Sequence, residues 1–266
     1  MADVVLMPNK QIGINIAKYL KNNGDNIVAL FFAEEDRDYI NSFSGLYDAE
    51  VCQIHIGHKM HEDAVIVQNL PSFDFLVTVY WPFLIGDEFL NKTADNLIGK
   101  PLLSQIASRS VNFHPALLPI NRGWYPHVHS ILDGSPFGVT LHVIEKGADT
   151  GPVWAQKEIQ MATSMDAGEI HAELSLEMEK LFVETWPDIS TGQIQPTNQD
   201  HTKAVYHSKG ELDGIDEIDL VSAVKAIDLI NLLRARTFHD RGFAYFLDDK
   251  GERVYLHIKM NRTGIF

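Results

Sequence analysis

The stretch "DVVLMPNKQIGINIAKYLKNNGDNIVALFFA", residues 3–33, decides the fold class. Its first five residues are a short apolar run and predict a strand over 3–7. Ile12, Ile16, Tyr19 and Leu20 then recur at helical spacing, which predicts a helix over 10–22 with Gly24 as its stop. Residues 26–33 are apolar again and predict a second strand. A strand–helix–strand of this length implies parallel strands joined by a right-handed crossover. "FDFLVTVYW" (73–81), set between Pro71 and Pro82, and "SVNFH" (110–114) extend the pattern. Runs this apolar belong to a sheet covered on both faces. The expected class is α/β: a Rossmann-like, mostly parallel sheet with helices on both faces.

The rest of the chain reads differently. "GVTLHVIEKGADTGPVWAQKEIQM" (138–161) holds two alternating stretches, 139–144 and 153–160, around a Gly-rich turn. Asp166 and Glu169 form a capping box. A helix follows with Ile170, Leu174, Met178 and Leu181 on one face, expected to stop at Pro187. Residues 191–200 read as a polar linker. Beyond it come a helix from about Val221 to Ala235 and two strands around "DDKGE". The expected division is a catalytic domain over 1–200 and a small C-terminal α+β subdomain over 201–266, too short for an independent core.

Composition excludes several classes. With 266 residues and 45% hydrophobic content, the chain can bury a sizeable core. Cys52 is the single cysteine, which rules out an internal disulfide framework and fits a reducing, cytoplasmic setting. "MADVVLMPNKQ" lacks a secretory pattern, and the apolar stretch 75–85 falls short of the ~20 residues of a membrane helix. The formal charge is −14, which opposes binding to a phosphate polymer. No nucleic-acid or membrane partner is expected. The first strand leads into "PNKQIG" rather than G-x-G-x-x-G, so a nicotinamide dinucleotide is not indicated.

"VNFHPALLPINRG" (111–123) carries the chemistry. Asn112 and His114 stand two positions apart, so a strand turns both to one side. Asn112 is a donor that never titrates, and His114 donates or accepts a proton near neutral pH. Two such groups suit an oxyanion forming on a carbonyl under attack. "GADTG" offers Asp149 to orient the imidazole. No G-x-S-x-G elbow is present, and Cys52 lies elsewhere in the sequence, so direct transfer to an external nucleophile is favoured over an acyl-enzyme. A strand-end Asn capping a turn, with a His packed on prolines, is the bland alternative.

These segments resemble a known family. "NFHPALLPINRG", followed by "GVTLHVIEKGADTGPVWAQ", matches the pattern of the formyltransferases that use 10-formyltetrahydrofolate, over roughly residues 1–200. The tail "LINLLRARTFHDRGFAYF" is similar, more loosely, to the small subdomain of nucleotide-sugar N-formyltransferases. The resemblance implies a catalytic set of Asn112, His114 and Asp149. It implies a pteridine pocket formed by Pro82, Phe83, Leu84 and Ile85 and by Glu145, Lys146, Gly147 and Ala148. It implies 10-formyltetrahydrofolate as co-substrate, with no metal.

The acceptor is read from three features. Trp124 and Tyr125 in "WYPHVHS" suit stacking on a sugar or base. The tail is short and charge-balanced, unlike a tRNA-binding domain. Glycinamide ribonucleotide enzymes usually lack such a subdomain. Together these favour a dTDP- or UDP-linked amino-dideoxy sugar, in lipopolysaccharide or glycan biosynthesis. Methionyl-tRNA or glycinamide ribonucleotide formylation, or an inactive binding protein, are the alternatives. Arg122 and Lys209 are candidates for the diphosphate, and a homodimer is left open. His55, His58 and His61 are read as structural, since their spacing unites only neighbouring pairs. His127 and His129 with His114 could be drawn as a zinc triad, but no metal is assigned. His142 is either a supporting contact or a buried strand histidine.

Overall fold

In the computed structural model, residues 1–57, 59–87, 89–91 and 109–261 are described. His58 of the "HIGHKMH" histidines lies outside them. The opening stretch forms β1 (Asp3–Met7), α1 (Lys10–Asn22) and β2 (Asn26–Phe32). β3 (Gln53–Ile56), β4 (Phe75–Val79), β5 (Ser110–His114), β7 (Phe137–His142) and β8 (Val153–Ile159) complete a seven-stranded sheet. Its order is β3-β2-β1-β4-β5-β7-β8. The pairs from β3 through β5 are parallel, and β7 joins β5 antiparallel. The chain first moves outward from β1 to β3, then returns to place β4 on β1's other side. That reversal is a topological switch, where ligands bind outside the carboxyl ends of the strands.

Val4, Val5, Leu6 and Met7 are all fully buried, so both faces of the sheet's centre are covered. Val5, Met7, Phe31, Val67, Phe73, Leu76 and Phe89 form one core cluster. α2 (Ala64–Asn69) contributes Val67 and is capped by the Asp63 carboxylate, which accepts from the Val65 and Ile66 amides. β3 and α2 escape the sequence reading because each is short.

Three expectations need correction. The helix α4 (Ala167–Thr191) runs through Pro187 rather than stopping there. Proline removes the N–H that would bond the carbonyl of residue 183. The Tyr19 hydroxyl donates to that carbonyl at 3.2 Å instead, and Trp186 and Ile189 are fully buried. The predicted capping box is present, with Asp166 and Glu169 exchanging bonds at 3.0 Å. The helix expected from about Val221 starts later, as α5 (Ala226–Ala235), because Asp219 accepts from the Val221 amide and the Ser222 hydroxyl and holds a turn there. Residues 191–200 are more than a linker: Thr197 bridges to Val153. α3 (Pro126–Asp133) was not predicted; Tyr125 precedes it with φ 53° and Pro126 occupies its first turn.

The described chain divides into two compact units. The first holds residues 1–114, 140–156 and 178–199; the second holds 115–139, 157–177 and 200–266. In the second, β6 (Arg122–Gly123) pairs parallel with β9 (Tyr206–His207), and β10 (Tyr245–Leu247) pairs antiparallel with β11 (Arg253–Tyr255). The expected "DDKGE" turn joins the latter pair. No described helix is long and apolar enough to cross a membrane.

Candidate active site

Strand register builds one row of polar side chains. Thr78 of β4 stands opposite Asn112 of β5, and Asn112 stands opposite His142 of β7. Thr78 Oγ1 is 2.6 Å from Asn112 Oδ1, and Asn112 Nδ2 is 2.9 Å from His142 Nε2. The orientation of the amide follows from the far end of the row. His142 Nδ1 lies 2.7 Å from the Val143 carbonyl, an acceptor only, so Nδ1 carries the proton. In the neutral ring Nε2 is then an acceptor and takes a hydrogen from Asn112 Nδ2. The Thr78 hydroxyl donates to Oδ1, which locks the amide with its donors away from β4.

Asp149 faces this row. Its Oδ1 is 3.4 Å from Asn112 Nδ2 and 3.3 Å from His142 Nε2, and its Oδ2 is 3.4 Å from His114 Nδ1. The contacts of Asn112 Nδ2 and His114 Nδ1 are long bonds, of the kind that tighten when a reacting complex forms, whereas His142 Nε2, an acceptor here, only lies near the carboxylate. The His114 side chain is 5% exposed and that of Asp149 15%, so their interaction is poorly screened by solvent.

The loop that delivers the carboxylate is tightly built. Asp149 itself has φ 53°, in the left-handed region. A Cβ at Gly151 would overlap the Val143 carbonyl oxygen, so only glycine lets the loop pass there. The Gln199 amide donates to the carbonyls of Asp149 at 2.9 Å and Gly151 at 2.6 Å. The structure thus brings Asn112, His114 and Asp149 together and adds Thr78, His142 and Gln199. Thr78 had a signal, as a lone hydroxyl in the apolar run "FLVTV" near its carboxyl end. Gln199 had none, being fifty residues from its partners.

The two segments expected at a pteridine are joined. Lys146 Nζ pairs with Asp87 Oδ2 at 2.9 Å, linking the 145–148 loop to the segment after β4. His61 Nε2 donates to the Leu84 carbonyl at 3.0 Å, its ring neutral because burial lowers its pKa. That ring stacks near Phe83 and meets Trp81 edge-on. His61 Nδ1 and Trp81 Nε1 are buried without hydrogen-bond partners among the described residues. An acceptor and a donor orphaned beside Pro82–Ile85 fit a ligand with a hydrogen-bonding ring edge. The carbonyl contact of His61 was not foreseen. Ile85 is buried in the core, whereas Leu84 is exposed.

The expected acceptor residues lie in the second unit. Arg122 is buried, with Nη2 3.1 Å from His201 Nδ1. A Cβ at Gly123, which has φ +87°, would overlap the His207 carbonyl oxygen. The Trp124 amide donates to that same carbonyl at 3.0 Å. Trp124 and Tyr125 rings are 5.8 Å apart, and Lys209 Nζ sits 4.8 Å over the Trp124 ring. His127 packs on His171 rather than sharing a metal with His114, whose Nδ1 faces Asp149.

The chain is similar to known proteins in sequence and in fold. Residues 94–186 match the family model described as formyl transferase. Residues 211–262 match the N-formyltransferase dimerization C-terminal domain. Over these residues the chain is similar to formyl transferases. The chain is 33% identical over 150 residues to the dTDP-4-amino-4,6-dideoxyglucose formyltransferase of Mycobacterium bovis, a match covering 56% of it. It spans 64% of that relative's length. A 4-N formyltransferase from Francisella tularensis shares the fold, with TM-score 0.78, 20% identity and coverage of 98% and 99% of the two chains. An N-formyltransferase from Helicobacter canadensis, solved with folinic acid and dTDP-3-aminofucose, has TM-score 0.68 at 17% identity, over 90% of this chain and 82% of that one.

Proposed function

We propose that the protein is an N-formyltransferase that moves a formyl group from 10-formyltetrahydrofolate to the amine of a dTDP- or UDP-linked amino-dideoxy sugar. The observation that carries this reading is Asp149, 3.4 Å from both the Asn112 amide and the His114 imidazole at the end of β5. The donor supplies an activated formyl carbonyl. Asn112 Nδ2, locked by Thr78 and His142, donates to the oxyanion that develops as the amine attacks. Asp149 holds His114 through Nδ1 and favours its charged form, so the opposite nitrogen, Nε2, takes the proton from the amine. His114 then returns that proton to the departing nitrogen. No bond to the protein forms.

The pteridine is assigned to Pro82, Phe83, Leu84 and Ile85 and to Glu145, Lys146, Gly147 and Ala148, and the acceptor to Arg122, Trp124, Tyr125 and Lys209. The sugar reading is supported by the mycobacterial relative's name and by the ligands of the Helicobacter structure. A homodimer through residues 211–262 and a cytoplasmic location belong to the same reading. The dimer is supported by the matched family's description and by Ile227 and Ile230, which α5 leaves exposed.

The test is incubation with 10-formyltetrahydrofolate and a panel of dTDP- and UDP-amino sugars, read by mass spectrometry. The reading expects one formyl group added to one panel member. Formylation of methionyl-tRNA or glycinamide ribonucleotide alone would overturn the sugar assignment, and binding without turnover would overturn the enzymatic one.

A further inference from the structure

A second cluster stands apart from the formyl-transfer residues. α3 carries His129, β9 carries His207, and the turn after β9 carries Glu211. One ligand atom from each lies within 4.8 Å of the others. All three belong to the second compact unit. We propose that His129, His207 and Glu211 form a binding site for a divalent transition-metal ion of the zinc type.

Three observations support it. First, the donor set is right: two imidazoles and one carboxylate hold zinc and leave a fourth position for water. Zinc with donors at about 2.0–2.2 Å sets them about 3.4 Å apart, so the cluster has at most about 1.4 Å to close. Second, His129 is 7% exposed, and its Nε2 is buried with no hydrogen-bond partner among the described residues. An orphaned ring nitrogen is costly unless something serves it.

Third, His207 is already held as a metal-binding histidine is. Its Nε2 lies 3.0 Å from Asn121 Oδ1, and Asn121 Nδ2 is within 2.9 Å of both Ser130 Oγ and Ser135 Oγ. A ligating histidine characteristically donates its other N–H to such an oxygen, which fixes the ring. The remaining nitrogen, Nδ1, points at Glu211 Oε2 at 2.7 Å. A metal would take the place of the proton between those two atoms.

The arrangement also sets a condition. The His129 and His207 rings are stacked, with centroids 3.5 Å apart and planes 6° from parallel. In-plane lone pairs of two parallel rings cannot meet one ion. Uptake therefore turns His129 about its terminal torsion, out of the stack. That torsion is broad, which makes the turn accessible. The neighbouring consequence is local: His207 supports Trp124 through its carbonyl, so a bound ion would brace the base of the "WYPH" segment.

The test is equilibrium dialysis of the full chain against zinc chloride, with bound metal measured by mass spectrometry and cobalt(II) absorption as a parallel readout of ligand geometry. Wild type should bind one ion per chain with a tetrahedral cobalt spectrum. His129→Ala and Glu211→Gln should each weaken uptake at least tenfold while circular dichroism remains unchanged. His55→Ala should leave it unaltered. Absence of uptake at tens of micromolar zinc would overturn the proposal. So would equal uptake by wild type and both cluster variants. Neither result bears on formyl transfer, which this site does not enter.

Discussion

Two pairs of histidines show how surroundings decide what an imidazole does. His114 and His142 stand in neighbouring strands, each with a nitrogen within 3.4 Å of the Asp149 carboxylate. His127 and His129 stand two residues apart on α3, both buried, each with one nitrogen lacking a hydrogen-bond partner among the described residues. Burial is the leading cause of the lowered pKa of both helix histidines. In the strand pair His114 faces a buried carboxylate that can stabilise positive charge on it. For the helix pair burial holds both pKa values down, although Glu211 and Asp133 pull that of His129 the other way.

The comparison can be broken most decisively at His114. His114→Asn keeps the size and polarity but removes the exchangeable proton, and formylation should fall about 10²- to 10⁴-fold. The thermal midpoint should hold, and near-normal turnover would end the assignment. Thr78→Val is subtler. It removes the hydroxyl that locks the Asn112 amide, so kcat should drop by less than the ~10²- to 10³-fold expected for losing Asn112 itself. A change confined to KM would show that Thr78 does not act through Asn112.

Stability tests the same contrast from the other side. His127 has its pKa pushed down to about 3 by burial, aided by nearby His171 and His129. The unfolded chain would protonate that ring near 6.5, so it binds the proton that the folded state refuses. His127 thus allows full stability above pH 6.5 and withdraws it as pH falls towards 3. His127→Phe should flatten the denaturation-midpoint profile over that window by up to about 1.4 kcal/mol per pH unit. An unchanged slope would mean the ring is protonated when folded. Gly151→Ala should cost about 1–3 kcal/mol by forcing a Cβ against the Val143 carbonyl. Tyr19→Phe, which deprives the Val183 carbonyl of its donor, should cost about 0.5–1.5 kcal/mol in urea titration, near the low end because water can replace it.

Legibility followed the range of the interactions involved. β1, α1 and β5 were readable to the residue because periodicity and breakers are local. The Asn112–His114 pair was readable because strand geometry alone sets both on one side. Pro187 misled because its local cost is offset by Tyr19, over 160 residues away. Thr78, His61 and Gln199 escaped because cross-strand register and loop contacts created their roles. The second cluster escaped for the same reason: His129 and His207 meet only once β9 pairs with β6.

The division into units has a consequence for modular exchange. The boundary falls at the peptide bond after His114, and the second unit is assembled from three separate segments. Residues 200–266 are only the last of them. Grafting that tail alone onto a related chain would move Lys209 and Glu211 but leave Trp124 and His129 behind. If Trp124 and Lys209 hold the acceptor as proposed, its selection is not a cassette. It would have to be exchanged as three matched pieces, with β6 and β9 travelling together.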